Sequence, residues 1–234
     1  MTEYPRPFRQ FRLLLKQQLR CEYAEPVRAI VPLLFGMVIA ILWSFFLPER
    51  DPSEKTLMFA GQALLSAFFA LQLAMSQSFD AEKQDEALTL LRTEPLSSAA
   101  WFAAKLCSVG LVAAAVMSMQ LIISVVLNNL DINQIIDFKM LLTLFLTLVG
   151  LVSVGTLLAF LVMFAAGRHL LYPILYFPLC VPVLLCAYEN MLASLTQQMA
   201  LTAMLQSWLG LLLAFDLVYV TLGTMFFGEL LRAD

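Results

Sequence analysis

The chain has 234 residues, 61% of them hydrophobic and 13% charged, with a formal net charge of -3. So little polar side chain cannot coat a soluble globule, which points to an integral membrane protein with no room for a separate soluble domain. Nucleic-acid binding has no basic patch to rest on, and the placement of Lys and Arg matters more than their sum.

In chain order, the first 28 residues are basic and amphipathic, and the first apolar run starts only near Ala29. That differs from a cleavable signal, so the segment is expected to stay on the mature protein. Between Phe8 and Glu25, Phe8, Phe11, Leu15 and Leu19 share one helical face, while Arg9, Arg12, Lys16 and Arg20 gather on an adjacent one. Anionic headgroups would hold the basic face as the apolar face sinks beneath them, which predicts an interfacial helix over residues 1–28; the competing reading is a soluble amphipathic helix.

A hydrocarbon core of roughly 30 Å takes about 20 apolar residues per helix. Six such stretches follow, at about Ala29–Leu47, Thr56–Gln77, Trp101–Leu127, Met140–Ala165, Leu170–Tyr188 and Leu205–Phe227. Trp101 is read as marking a membrane interface. The segment from Glu189 to Gln206, free of Lys and Arg, is read as an outer-face stretch lying along the membrane or re-entrant. Of the 14 Lys and Arg residues, only Arg50, Lys55 and Lys139 fall on the side opposite the N-terminus. The positive-inside rule then places both termini in the cytoplasm.

The same rule puts Phe79 to Leu96, FDAEKQDEALTLLRTEPL, on the cytoplasmic side within a loop over residues 78–100. It is the one densely charged island between two apolar segments. Leu88, Leu90, Leu91 and Leu96 are interleaved with its charges, a pattern that suits a short amphipathic helix over about Ala81 to Thr93. Asp80 can cap that helix, Glu82, Asp85 and Glu86 complement its dipole, and Pro95 stops it. Tethered at both ends to spans, it reads either as a helix that docks into a partner's groove or as a solvated loop.

Elsewhere, Gly150 and Gly155 have a spacing faintly like a phosphate-binding loop, but no lysine follows and both lie inside a span, so ATP binding by this chain is not expected. They read as small residues that let helices approach, as do Gly61, Gly110 and Gly210. His169 is the only histidine, which leaves no paired-histidine metal or haem site within the chain. The four cysteines Cys21, Cys107, Cys180 and Cys186 lack Cys-x-x-Cys spacing, and Cys180 and Cys186 read as packing residues on different faces. Asp216 is the one carboxylate deep in a span; there it needs a partner, a neutral form or a function. Gln62, Gln72 and Gln120 are candidates for bonds between helices. Pro173, Pro178 and Pro182 interrupt the fifth span and are expected to kink it, for flexing or for static packing. No set of catalytic residues or metal ligands lies at a common depth.

The charged island, the prolines within YPILYFPLCVPVLLCA and the arginine-rich FRQFRLLLKQQLR together resemble the haem exporter protein B (CcmB) family of cytochrome c maturation across nearly the whole chain. In that family the cytoplasmic loop carries a phenylalanine, an acidic residue, a Gln-Asp pair, spaced leucines and a proline; Phe79, Glu82, Gln84, Asp85, Leu88, Leu91 and Pro95 stand at those positions. Pro178 and Pro182 match the paired prolines. Two positions depart, with Glu86 where a glycine is usual and Thr89 where a glutamate is. The resemblance implies an all-α, six-span, ABC-2-type permease domain over residues 1–234, dimeric, in the bacterial inner membrane. It implies two copies of a separate ABC ATPase subunit that binds ATP, haem-handling membrane proteins C and D, and a periplasmic haem chaperone. Haem would be the substrate of the complex rather than a cofactor of this chain, and the island would couple ATP hydrolysis to release of the loaded chaperone or to haem export. A permease for a lipid or drug and a non-transporting membrane scaffold are the alternatives.

Overall fold

The computed structural model describes residues 7–24, 27–46, 52–76, 78, 98–130, 135, 137–163, 165, 167–196, 203 and 207–232. The described residues form seven long helices: α1 (Pro7–Ala24), α2 (Val27–Phe46), α3 (Pro52–Ser76), α4 (Ser98–Asn128), α5 (Phe138–Val162), α6 (Arg168–Leu195) and α7 (Trp208–Arg232). Five contain stretches long and apolar enough to cross a membrane: Met58–Ser76, Ala99–Asn128, Phe138–Val162, Arg168–Leu195 and Trp208–Phe227. The apolar stretch of α2, Ala29–Phe45, is shorter. All-helical architecture suits a bilayer because each helix satisfies its own backbone hydrogen bonds.

Helix ends are set by local chemistry. Asn129, at φ 51, closes α4. Its amide bonds Val126 O and that of Leu130 bonds Val125 O, the paired bonds of a Schellman turn. Asp137 caps α5, its side chain accepting from the Phe138 amide at 2.7 Å. Gly167, at φ 78, supplies the left-handed residue ahead of α6.

Helix α5 is the central element, with every residue from Leu151 to Phe160 buried. Around it α6 presents Tyr172, Tyr176, Cys180, Val183, Cys186 and Ala187, α3 presents Phe68, Leu71 and Met75, and α7 presents Leu212 and Phe227. By contrast, among its described side chains α2 buries only Pro32, Gly36 and Ala40, along one face. It leaves Ile30, Leu34, Val38 and Leu42 exposed on the others, as a helix at a bundle edge in lipid would.

Two expectations from sequence need correction. Trp101 is 2% exposed rather than interfacial; its ring lies 5.7 Å from Phe160 and 5.1 Å from Phe227, because two helix ends supply aromatic partners that no local pattern shows. Glu189 to Leu195 do not lie along the membrane but extend α6, with Asn190, Met191 and Ser194 buried on its continuing stripe. Helix α1 packs on α4 through Gln10, Leu14 and Gln18, with Phe11 and Leu15 partly buried beside them, and the Ser108 hydroxyl donates to Gln18 Oε1 at 3.1 Å. Cys180 and Cys186 pack into one core cluster, as their reading as packing residues expects; α6 meets α3, α5 and α7, so residues on different faces of it are buried.

Candidate functional site

Phe79, Glu82, Gln84, Asp85, Leu88, Leu91 and Pro95 lie outside the described residues. Their tethers are described. The 79–97 segment runs from the C-terminal end of α3 to the start of α4, and those two ends are joined. Lys105 of α4 is 2% exposed, and its ammonium donates to the backbone carbonyl of Ser78 at 2.5 Å. The last carbonyls of a helix lack intrahelical donors and carry the negative end of its dipole, so a cation there satisfies both. The Ser78 amide bonds Met75 O at 3.0 Å, so the accepting carbonyl is held against α3.

Around this contact the loop-bearing end of the bundle closes into a junction. One turn before Lys105, Trp101 meets Phe160 at the end of α5 and Phe227 near the end of α7. Phe160 and Phe227 stack at 4.0 Å, and Phe102 lies 4.8 Å from Phe227. Gly223 permits the approach of α7, since a Cβ there would stand 2.2 Å from Phe102 Cζ. One turn after Lys105, Ser108 holds α1 through Gln18.

The opposite end is stitched by amides. Gln120 Nε2 donates to Leu33 O at 2.9 Å and Gln62 Nε2 to Ala40 O at 2.7 Å. Both acceptors are carbonyls of α2. Asn128 Nδ2 donates to Gln62 Oε1 at 2.5 Å. Gly36 makes room, since a Cβ there would stand 2.5 Å from Gln120 Nε2. Gln62 and Gln120 therefore do bond between helices, while Gln72 is half-buried on α3.

Asp216 sits between the two ends, 5% exposed, and neither carboxyl oxygen has a hydrogen-bond partner among the described residues. Its place is opened by Gly150: a Cβ there would stand 2.5 Å from Asp216 Oδ1 and 3.0 Å from Val183 Cγ1. Gly155 does the same one helix face along, with Met75 Cγ at 2.8 Å and Tyr172 Oη at 3.1 Å from its Cβ position. These two glycines permit close helix contact as expected. Gly110 has nothing within 4 Å and Gly61 only Tyr188 at 3.8 Å, so neither does.

Pro173, Pro178 and Pro182 all lie inside α6, which continues unbroken through them. None is on the buried stripe. Tyr219 of α7 donates to Leu179 O at 3.3 Å, in the turn that Pro182 loosens, and Tyr176 donates to Leu151 O of α5 at 3.3 Å. His169 is exposed at the start of α6, and no three His, Cys, Asp or Glu side chains converge among the described residues.

A helical bundle with a core at each end, apolar outer faces and no cluster of reactive side chains among the described residues defines a multi-pass membrane protein. The family model described as CcmB protein matches residues 9–234, and the chain belongs to that family. Membership makes it a membrane component of a haem exporter for cytochrome c maturation, part of an ABC assembly with an ATPase partner. No curated protein matches the chain. Sequence reasoning missed Lys105, which it counted only as a loop-side charge, because a cation seven residues into an apolar helix has no local sign of its distant acceptor.

Proposed function

We propose that the chain is the permease subunit of that exporter, an ABC-2-type protein with six spans, α2 being the sixth. It works as a homodimer in the inner membrane, with both termini cytoplasmic and two copies of a separate ATPase docked on Phe79–Leu96. ATP is bound and hydrolysed by the partner. Haem is substrate of the complex, handled with membrane proteins C and D, and closure of the ATPases is coupled to release of the haem-loaded periplasmic chaperone or to haem export. The observation that carries this reading is the joined root of the segment: a docking element can drive spans only if its tethers are packed into them, and α3 and α4 are. The exposed apolar face of α2 supports the sixth span. Purification of the tagged chain from native membranes tests the reading. An ABC ATPase together with haem-handling partners is the expected recovery; an ATPase without them favours a permease for another substrate, and neither favours a scaffold.

A further inference from the structure

Among the described residues Lys105 is the one buried cation, and it donates to a backbone carbonyl, which no substitution at position 78 could remove. The bond closes the 27-residue interval that contains the whole 79–97 segment. Without it, a displacement of the segment could be absorbed by bending at Ser78. With it, α3 and α4 share one fixed point at their loop-bearing ends. The same stretch of α4 touches three further helices. Trp101 meets α5 and α7 through Phe160 and Phe227, and Ser108 meets α1 through Gln18. Trp101, Lys105 and Ser108 are spaced by four and three residues and so lie along one side of the helix.

We propose that Lys105 is a positioning residue for coupling: its ammonium clamps the end of α3 to α4, so that force applied to the 79–97 segment by the ATPase reaches the helix ends gathered around Trp101. This rests on the docking reading given above. The clamp acts on transmission and not on attachment, so the two separate experimentally. Removing the ammonium leaves the ATPase bound but less active, whereas altering the docking side chains removes the ATPase.

The test compares Lys105→Met, Lys105→Gln and Lys105→Arg in the intact complex purified from membranes. ATPase recovered per permease, ATP hydrolysis by the assembled complex, and hydrogen exchange of the last turn of α3 are all measured. Lys105→Met should keep full ATPase recovery, lose at least about threefold in hydrolysis and expose the amides of residues 74–78 to faster exchange. Lys105→Arg, which keeps a cationic donor, should recover most of both. If the Met variant does not accumulate, the Gln variant is read in its place. Unchanged hydrolysis and exchange in the variant read would overturn the clamp and leave docking standing. A fall in protein level and ATPase recovery in step with activity, in both Met and Gln variants, would overturn it as well by making Lys105 a folding residue. Retention of the ATPase by a Leu88→Asp, Leu91→Asp chain would instead overturn the docking reading itself.

Discussion

At its loop-bearing end α4 places Trp101 in an aromatic cluster with Phe160 and Phe227 and turns one ammonium onto the end of α3. At its far end it lines up Gln120, Ser124 and Asn128 and reaches α2 and α3 through amides. Both ends bury polar atoms, but they hold their neighbours differently. Each amide bond joins two helices, and only Gln62 takes part in two, so losing one bond leaves the others. The aromatic cluster is shared by three helices, and no ring can go without leaving the other two facing a void. Lipid tails offer a helix nothing that another helix's side chains do not, so in both places it is close packing and polar pairing that hold the bundle.

Three substitutions probe that contrast, in order of expected effect. Phe227→Ala should be the most damaging, because it opens a cavity against Trp101, Phe102 and Phe160 at once. A cost of about 3 to 5 kcal/mol is typical of such a truncation; the thermal midpoint of the detergent-purified protein should fall steeply, and a shift no larger than that of an amide variant would erase the distinction between the ends. Gln120→Leu removes one link to Leu33 O. Bonds of this kind average about 0.6 kcal/mol and reach about 1.7, so the midpoint should fall modestly, and Gln62→Leu, which loses the bond to Ala40 O and the one from Asn128, should lower it somewhat more. Asp216→Asn should change the midpoint least, because the two side chains are nearly isosteric and neither carboxyl oxygen loses a partner among the described residues. A large destabilisation would mean that a group outside the described residues pairs with the carboxylate, and normal assembly with lost ATP-dependent function would assign the charge a role of its own.

Legibility in the sequence followed the range of each interaction. The spans were readable because apolar length is local, as was the family, from the loop residues Phe79 to Pro95 and the prolines of α6. Gln62, Gln120, Gly150 and Gly155 were readable in kind, since an amide or a glycine in an apolar helix has few other uses. Their partners were not. Leu33 O and Ala40 O are backbone atoms of α2, and a backbone acceptor leaves no mark on composition. Trp101 was misread for the same reason, as a tryptophan near a helix start suits a headgroup layer until Phe160 and Phe227 arrive from distant parts of the chain. The basic face of α1 suggested lipid, whereas its buried face contains Gln10 and Gln18, which no apolar stripe would include. Asp216 was singled out for its cost in a membrane, but the notch at Gly150 that receives it is a tertiary feature.

The central claim is that the segment between α3 and α4 is where the ATPase attaches. Leu88 and Leu91, three residues apart, share a face of the expected helix and would be its apolar anchors, with Glu82 and Asp85 meeting basic residues of the partner. Loss of a buried interface anchor commonly costs more than about 1 kcal/mol, and about 2 or more at a hot spot, while rim charges mainly change association. The most direct measurement is recovery of the ATPase with membrane-inserted, tagged chain carrying Leu88→Asp and Leu91→Asp, beside Glu82→Ala. The double variant should insert normally and bring down no ATPase, and Glu82→Ala should weaken recovery in a salt-dependent way; undiminished recovery with the double variant would contradict the assignment.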